Sequence, residues 1–352
     1  MSGKEPGHGP GDAAPQPVAA LRRIAFLLER TRAETYRVKA FRSAAATVLT
    51  LDADELRARG ENGSLRELPG IGSVTEEVIG ESLAGRVPEY LSRLEKEAAG
   101  PLTEGGEEFR SALRGDLHSH SDWSDGGSPI EEMAFTALEI GHEYLVLTDH
   151  SPRLKVARGL SPERLVRQLV IVDAVNAHLG DELQLLKGIE VDILDDGELD
   201  QTDELLGRLD IVVASVHSKL RMDRAAMTRR MVAAASNPRT NVLGHCTGRL
   251  VTGGRGTRAQ SEFDPQAVFE ACAAHQVAVE INSRPERSDP PDELIELALE
   301  TGCLFSIDSD AHAPGQLDFV DYGCARAQQL GVPQERVVNT WEVDRLLAWS
   351  GG

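Results

Sequence analysis

The sequence predicts an α/β fold, most simply a closed barrel of seven parallel strands, which follows a small all-helical domain. Two observations support this prediction. After Arg114, seven short apolar segments alternate with helical segments, which is the pattern of a parallel α/β architecture. From Pro17 to about Gly100, apolar residues recur at helical spacing. A chain of 352 residues is long enough for two domains.

The N-terminal part divides into three predicted segments. Residues 1–16 are rich in Gly, Pro and Ala, so we expect a disordered tail. A helical domain is predicted over 17–100, beginning with the amphipathic segments VAALRRIAFLLERT and TYRVKAFRSAAATVLTL. Within it, LPGIG places two glycines ahead of a helix, and backbone N–H groups in such a turn can hold a phosphate. Residues 101–113 are predicted to be a linker.

The barrel domain is predicted over 114–340. Helical segments such as SPIEEMAFTALEIG and SPERLVRQLVIVDAVNAHLG lie between its strands. The seven predicted strands are 115–118 (GDLH), 144–150 (YLVLTDH), 185–193 (LLKGIEVDI), 210–217 (DIVVASVH), 241–245 (NVLGH), 277–282 (VAVEIN) and 304–312 (LFSIDSDAH).

The charge and the aromatic content argue against an obligate nucleic-acid binder. The net charge is −20, and only 4% of the residues are aromatic, too few for modules that stack bases. The segment from Gln16 to Arg42 is an exception, because it has seven Lys or Arg and two acidic residues. Together with the LPGIG turn, this segment can hold a DNA backbone, although a basic solvated helix face gives the same pattern.

The cysteines and the hydropathy indicate where the protein works. The four cysteines form no C-x-x-C motif, so we expect a reducing compartment rather than a disulfide framework. The sequence has no apolar signal segment and no apolar run of 18 residues, so we expect a cytoplasmic protein with no membrane partner.

Histidines and acids cluster at the ends of the predicted strands. Six of the ten histidines and three acids lie at a C-terminal strand end or just past one. The C-terminal strand ends of an α/β barrel converge on one face, where active sites are built. The nine candidate metal ligands are His118, His120, Asp125, His150, Glu190, His217, His245, Asp310 and His312.

The number and the type of these ligands indicate more than one metal ion. A zinc site takes four ligands, so nine suit two or three divalent ions, with Glu190 as the bridging candidate. Imidazole together with carboxylate suits Zn, Mn or Fe. Each motif alone is also compatible with a polar surface turn, and it is the joint pattern that favours a metal cluster. The other histidines, His8, His142, His178 and His275, are expected in the tail, at the surface or in packing.

The motifs of the barrel resemble those of the PHP (polymerase and histidinol phosphatase) superfamily over about 115–325. They are DLHSHSDWSDG, LTDHS, GIEVDI, SVHSKL, LGHCTGRL, EINS and DSDAH. The resemblance implies a distorted seven-stranded barrel with a trinuclear metal centre. It also implies three ligand sets, which are His118, His120, Glu190 and Asp310; Asp125, His150 and His245; and Glu190, His217 and His312.

The helical part resembles the region that accompanies PHP domains in bacterial family X DNA polymerases, through YRVKAFRSAA and the helix-hairpin-helix segment LPGIGSVTEEVIGE. The polymerase palm is absent, so we do not expect DNA synthesis. Glu76 and Glu77 stand where such motifs often carry Lys or Arg, and Cys246 stands where related proteins usually have proline. The candidate DNA contacts are Gly70, Gly72, Arg37, Lys39 and Arg42.

The chemistry expected of such a cluster is phosphoester hydrolysis. Two ions lower the pKa of a shared water to give a hydroxide nucleophile, and they offset the charge that develops on the phosphate. We expect Asp149 and Asp308 to orient ligating imidazoles. The candidate catalytic residues are Asp125, Glu190, His217 and His312. The candidate substrate contacts are Lys219, Arg249, Asn282 and Arg284. A charged loop residue in solvent explains Lys219, Arg249 and Arg284 equally, and Asn282 is expected to hydrogen-bond substrate or a ligand.

The sequence leaves the substrate open. The leading interpretation is a phosphoesterase that acts on a small phosphomonoester or on a nucleic-acid 3′ end. Histidinol-phosphate phosphatase is one alternative, but it leaves the helix-hairpin-helix unexplained. A DNA 3′–5′ exonuclease or 3′-phosphatase in repair explains that domain, but the negative charge of the barrel domain opposes binding of a nucleic acid. A non-catalytic DNA-binding module with a metal-stabilised barrel is the alternative from another class.

Overall fold

The computed structural model describes residues 16–254 and 256–351. The chain divides into two compact units, of which the first ends at Gly100 and the second begins at Pro101. The predicted tail, apart from Gln16, lies outside the described residues. None of the described helices is both long enough and apolar enough to span a membrane.

The first unit is helical, as predicted. Leu21, Ile24 and Leu28 follow one another at helical spacing in α1 and are almost completely buried, because α2, α4 and α5 all pack against this helix. The five helices of the unit are α1 Pro17–Arg30, α2 Thr35–Leu49, α3 Ala53–Asn62, α4 Ser73–Leu83 and α5 Glu89–Glu97.

The LPGIG turn enters α4 through two glycines with different roles. Gly70 has a φ of 79°, and a Cβ there would lie 2.3 Å from Ser43 Oγ, so only glycine lets the turn approach α2. Gly72 is the N-cap residue of α4, and its backbone N–H donates to Thr75 Oγ1 at 2.9 Å. One amide of the predicted phosphate-binding turn is therefore already satisfied by the protein itself.

The second unit contains the predicted barrel. Its seven strands pair in parallel in the order β1-β2-β3-β4-β5-β6-β7, and a bridge between Ser119 and Ala311 joins the first strand to the end of the last. The barrel is thus nearly closed, and the seven predicted strands are confirmed. They are β1 Gly115–Ser119, β2 Tyr144–Leu147, β3 Gln184–Asp192, β4 Ile211–Ser215, β5 Val242–Leu243, β6 Ala278–Asn282 and β7 Leu304–Asp308.

Helices connect the strands and cover the barrel. Their apolar faces pack on the outward-facing Val, Ile and Leu side chains of the strands and form one continuous hydrophobic core with them. The helices of this unit are α6 Glu107–Ala112, α7 Ile130–Glu139, α8 Pro162–Leu179, α9 Asp203–Leu206, α10 Arg224–Ala235, α11 Pro265–His275, α12 Asp292–Thr301, α13 Val320–Gln329 and α14 Val343–Ser350.

The barrel interior changes from apolar to polar along the strands. Tyr144, Val146, Ile211 and Val213 meet in one buried cluster near the N-terminal strand ends. Side chains two residues apart share a strand face, so the inward face of β3 continues to Glu190 at its other end. The interior is therefore a hydrophobic plug beneath a polar layer.

Two predicted boundaries need correction. Residues 101–113, predicted to be a linker, contain α6, whose Phe109 lies with Leu113 in the core of the barrel unit. These two apolar residues are four positions apart, so they share one helical face and pack against α13. The barrel unit also continues past 340, because Leu346 of α14 is fully buried beside Trp341.

His142, in the turn before β2, gives a testable prediction about stability. It is buried, its ring nitrogens have no hydrogen-bond partner among the described residues, and burial together with the charge of Arg110 lowers its pKa to about 3. Below pH 6.5 the unfolded chain binds a proton at this histidine and the folded protein does not. The free energy of unfolding therefore falls as the pH falls from 6.5 towards 3. At pH 5 this loss is about 2 kcal/mol.

We expect His142→Leu to remove this part of the pH dependence. Urea unfolding at pH 7.5 and pH 5.0, followed by tryptophan fluorescence, measures it, because Trp123, Trp341 and Trp349 all lie in the barrel unit. His178→Leu is the control, since His178 is exposed. An equal stability difference between His142→Leu and the wild type at both pH values would contradict the prediction.

Candidate metal centre

The nine predicted ligands converge at the C-terminal end of the barrel, and the buried Glu190 carboxylate lies at the middle of the group. Six of the seven strands, all except β6, carry one of these side chains near their C-terminal end or in the loop that follows, so barrel closure brings them together. Oε1 of Glu190 lies 2.8 Å from His245 Nε2 and 3.1 Å from His217 Nε2. Oε2 of Glu190 lies 2.8 Å from His150 Nδ1, 3.3 Å from His118 Nε2 and 3.6 Å from His120 Nε2.

Three sets of side chains have ligand atoms close enough to share an ion. All atoms within a set lie within 4.8 Å of one another. The sets are His118, His120 and Asp310; His150, Glu190 and His217; and His120, Asp125, His150 and His312.

The third set lies nearest to solvent. The Asp125 side chain is 32% exposed and that of His312 is 19% exposed, whereas Asp310 and Glu190 are almost completely buried. Asp125 Oδ1 is 3.3 Å from His150 Nε2 and 3.4 Å from His312 Nε2. This set therefore forms the mouth of the cluster.

The grouping differs from the ligand sets that the family resemblance implied. That assignment joined His245 to Asp125 and joined His312 to Glu190. The structure instead places His245 Nε2 on Glu190 and His312 Nε2 beside Asp125. The difference arises because β5 lies next to β4, whereas the end of β7 lies next to β1, whose following loop carries Asp125.

Burial and charge oppose one another in the cluster. Burial raises the pKa of Glu190, but the charges of His217 and His118 hold it well below its usual range. Burial likewise lowers the pKa of His118, but Glu190 and Glu280 raise it well above its usual range. The pKa of His120 is lowered, first by burial and then by His312 and His150. A divalent cation requires ionised carboxylates and neutral imidazoles, so a cation at His118 would take the place of the proton that Glu190 and Glu280 favour there.

Several imidazole nitrogens fit metal ligation better than a purely structural role. His118 Nε2, both ring nitrogens of His120 and His245 Nδ1 are buried and make no hydrogen bond within the described ranges. Buried polar atoms are nearly always hydrogen-bonded in folded proteins. The donor set, with nitrogen and carboxylate oxygen in one buried layer, therefore fits divalent metal ions.

Two acids that the sequence analysis missed support the ligating histidines. Glu280 Oε1 lies 2.6 Å from His118 Nδ1, and its Oε2 accepts the backbone N–H of His245 at 2.5 Å. Asp192 Oδ1 lies 3.0 Å from His217 Nδ1. A carboxylate on the second ring nitrogen fixes the orientation of a metal-binding imidazole. Asp192 could have been predicted from its position in the sequence, since it lies two residues after Glu190 on the same strand face.

Asp308 and Asp149, which were predicted to orient imidazoles, instead accept hydrogen bonds from other parts of the chain. Asp308 accepts the backbone N–H of Leu117 at 2.9 Å and so ties β7 to β1. Asp149 accepts hydrogen bonds from the backbone and hydroxyl of Ser121, from the Ser124 hydroxyl and from Gln168. Asp149 therefore shapes the loop that carries Asp125 rather than orienting a ring.

Two arginines hold the same loop from the other side. Arg158 Nη2 donates to the carbonyl oxygens of Asp122, at 2.9 Å, and Ser124. Arg164 Nη2 donates to the carbonyl oxygen of Trp123. Three consecutive carbonyls before Asp125 are thus bound, which fixes the position of its carboxylate at the mouth.

Of the four predicted substrate contacts, two lie at the cluster. Asn282 Nδ2 donates to Asp310 Oδ2 at 3.1 Å, and Arg284 Nη1 lies 2.7 Å from His312 Nδ1. Arg287, which was not predicted, is partly buried and donates to Asp310 Oδ2 at 3.0 Å. Asn282 and Arg287 therefore position Asp310, while Arg284 lies at the edge of the cluster.

The other two predicted contacts lie away from the cluster, and their role as substrate contacts stays a prediction. Arg249 donates to the carbonyl oxygens of Arg287 and Ser288, so its guanidinium fastens the loop after β6. Lys219 pairs with Asp195 at the surface, and its side chain is 62% exposed. Neither residue contacts a ligand of the cluster within the described part of the chain. Loop position after a strand did not reveal which way these side chains turn.

The predicted DNA contacts in the helical unit are only partly available. Arg42 forms a bidentate pair with Glu29, with distances of 2.9 and 2.7 Å, so its guanidinium already has a partner within the protein. Arg37 donates to the Tyr90 hydroxyl at 2.6 Å. Lys39 is exposed, and it stays the best placed of the predicted cations.

Family comparison recognises both units. Residues 116–284 match the PHP domain family, and residues 12–87 match a helix-hairpin-helix domain family. Both resemblances inferred from the motifs are therefore confirmed, and the match to the first family covers most of the cluster described above.

Individual relatives cover the chain to different extents. The DNA polymerase/3′-5′ exonuclease PolX of Bacillus subtilis is 39% identical over 227 residues, which are 64% of this chain but 39% of that protein. A probable phosphatase of Caldicellulosiruptor saccharolyticus is 26% identical over 64% of this chain and 92% of its own length. The crystal structure of a histidinol phosphate phosphatase from Lactococcus lactis, complexed with zinc, L-histidinol and phosphate, matches with a TM-score of 0.45 and 18% identity, over 62% of this chain and 92% of that one.

The support of His118 by Glu280 gives a prediction about metal affinity. Glu280→Gln keeps the size of the side chain but removes the charge that holds His118 Nδ1. We expect metal affinity to fall by roughly 10–100-fold, measured by competition with a chromogenic chelator. The exposed Glu293 of α12 supplies the control Glu293→Gln. Unchanged affinity in Glu280→Gln would show that Glu280 does not support the site.

Proposed function

Because residues 12–87 match a helix-hairpin-helix domain family and residues 116–284 match the PHP domain family, we propose that this chain is a metal-dependent phosphoesterase that acts on nucleic-acid 3′ ends. The observation that carries the proposal is the convergence of six imidazoles and three carboxylates at one end of the barrel. Such donor sets bind the divalent ions that catalyse phosphoester hydrolysis in many enzymes.

Three ligand groups follow from the geometry. The innermost consists of His118, His120 and Asp310, and the mouth is formed by Asp125, His150 and His312. His217 and His245 lie beside Oε1 of Glu190, whose Oε2 faces the other imidazoles, so Glu190 would hold metal together with either group of imidazoles. Zn, Mn or Fe suits these ligands. When bound, such ions supply an activated water and neutralise phosphate charge.

The protein side chains position the phosphate and exclude water. Asp125 and His312 form the mouth, so the substrate approaches them first. Arg284 lies beside His312, where its guanidinium can bind phosphate oxygens, a contact for which arginine is well suited. Glu190 and His217 lie deeper and hold the centre of the cluster. We assign the catalytic roles to Asp125, Glu190, His217 and His312 on this basis.

The preference for a nucleic-acid end rests on the helical unit. The exonuclease relative is the more similar of the two curated proteins described above, and a helix-hairpin-helix suits contact with a DNA backbone. This chain spans about two fifths of that relative, so its activity is carried over here only as a proposal.

A small phosphomonoester is the second candidate substrate. One observation favours it, because the match to the probable phosphatase covers 92% of that protein's length. The two candidates differ in what the helical unit contributes, and a substrate comparison separates them.

Loss of the central carboxylate tests the enzyme assignment. Glu190→Gln removes the charge that five imidazoles face. Loss of a residue that only supports a metal ligand lowers activity roughly 10–100-fold, so we expect the rate of hydrolysis to fall by more than this. The assay uses metal-loaded protein with a 3′-labelled oligonucleotide duplex and with p-nitrophenyl phosphate. Glu182→Gln, at an exposed position, is the control. If the wild type cleaves neither substrate, the proposal fails.

A charge reversal in the helical unit tests the nucleic-acid assignment. Lys39→Glu is expected to raise KM several-fold for the oligonucleotide and to lower the salt dependence of its binding by about one phosphate contact. KM for p-nitrophenyl phosphate is expected to stay unchanged. Lys96→Glu, on the exposed face of α5, is the matched control. Equal effects of the two reversals on the oligonucleotide would argue for the small substrate.

A further inference from the structure

A polar cavity of about 510 Å³ adjoins the metal centre within the barrel unit. Its walls come from the loop after β6, from α13 and from residues 103–106. Asn282 and Arg284 belong to the wall, and the same residues contact Asp310 and His312 of the cluster. The volume lies in the range of small-molecule sites, which is roughly 300–1,000 Å³.

One wall of the cavity is held in place by close backbone packing. Gly106 has a φ of 88°, and a Cβ there would lie 2.4 Å from the backbone nitrogen of Ala325. The backbone N–H of Leu102 donates to Asp321 at 3.0 Å. The segment that covers this side of the cavity is therefore fixed against α13.

Arg326 supplies a buried hydrogen-bond donor in the wall. Its Nε and Nη2 bind Asp292 at 3.0 and 2.6 Å, and Nη2 also donates to the Pro290 carbonyl oxygen. Its Nη1 is buried and has no hydrogen-bond partner within residues 16–254 and 256–351. A buried donor without an acceptor costs free energy, so a ligand acceptor that Nη1 reaches after a small shift of the Arg326 side chain would be stabilising.

The charges around the cavity favour a neutral group over a second anion. Arg284 lies 3.7 Å from Asp310 and 3.9 Å from Glu286, and Arg326 is paired with Asp292. Glu104 adds a carboxylate to the wall. Positive charge is thus already balanced, and a polyphosphate would meet no excess of cations here.

The remaining side chains suit a flat heterocycle. Tyr322 lines the cavity, and an aromatic ring can stack on bases of any sequence. Gln328 and Gln329 offer amide donors and acceptors for the polar edge of a base. Together with the Arg326 donor, these groups match a nucleoside.

We propose that this cavity, which we call the Arg326 cavity, binds the nucleoside part of the substrate while the phosphate lies at the metal centre beside Arg284. The assignment rests on the proposed phosphoesterase function and specifies its substrate as a nucleotide unit. It also explains why Arg284 contacts both the cavity and His312, since it stands where the sugar and the phosphate meet.

Binding of two phosphonates to the manganese-loaded full chain tests the proposal without turnover. The probes are methylphosphonate and the phosphonate analogue of thymidine 5′-monophosphate, whose P–C bond cannot be hydrolysed, and the dissociation constants come from calorimetry. We expect the nucleoside phosphonate to bind at least tenfold more tightly. Ala325→Trp, which fills the cavity, is expected to bring this ratio close to one without changing the affinity for methylphosphonate.

Two further variants make the outcome decisive. Arg326→Lys keeps the positive charge beside Asp292 but removes Nη1, and it is expected to lower the ratio at least threefold even if Ala325→Trp fails to fold. Ala274→Trp, at an exposed position on α11, is the control. A wild-type ratio near one, or a ratio unchanged in both cavity variants, would overturn the proposal and leave the cavity to water. Absence of hydrolysis with the ratio intact would instead overturn only the proposed function.

Discussion

The buried carboxylate of Glu190 is the constraint on which the barrel's functional end depends. Burying a charge costs several kcal/mol unless it is paired, and here five imidazoles from four strand ends lie within 3.6 Å of it. Each of these rings is itself buried and needs a partner. The strand ends must therefore converge for the layer to be stable, and β3 is held in register by its pairing with β4 at Val213.

Behind this layer, charged groups hold the backbone that presents the ligands. Glu280 and Asp192 orient His118 and His217, and both stand on the same strands as other site residues. Arg230 is fully buried and donates to the carbonyl oxygens of Ile193 and Ser218, which fixes the chain just after β3 and β4. Although the net charge is −20, the acidic side chains of the site are paired with individual histidines.

The helical unit uses much of its positive charge internally. Arg42 pairs with Glu29, Arg37 binds Tyr90, and Arg30 donates to the carbonyl oxygens of Ala98 and Gly100. The local excess of five positive charges near the N-terminus therefore overstates the charge that faces a partner. If this unit contacts DNA, the contact must rely on backbone amides at the start of α4 and on exposed cations such as Lys39.

The sequence by itself determined the seven strands, the helical first unit and the nine candidate ligands, because period and strand-end position are local properties of the chain. It did not reveal that residues 101–113 and 341–350 pack into the barrel unit, since a short apolar helix face shows its partner only after folding. Only the tertiary structure decided which ligands group together, that Glu280 supports His118, and that Arg249 turns away from the cluster. These facts depend on which strands become neighbours and on where long side chains find carbonyl partners, and both are set by distances between residues far apart in sequence.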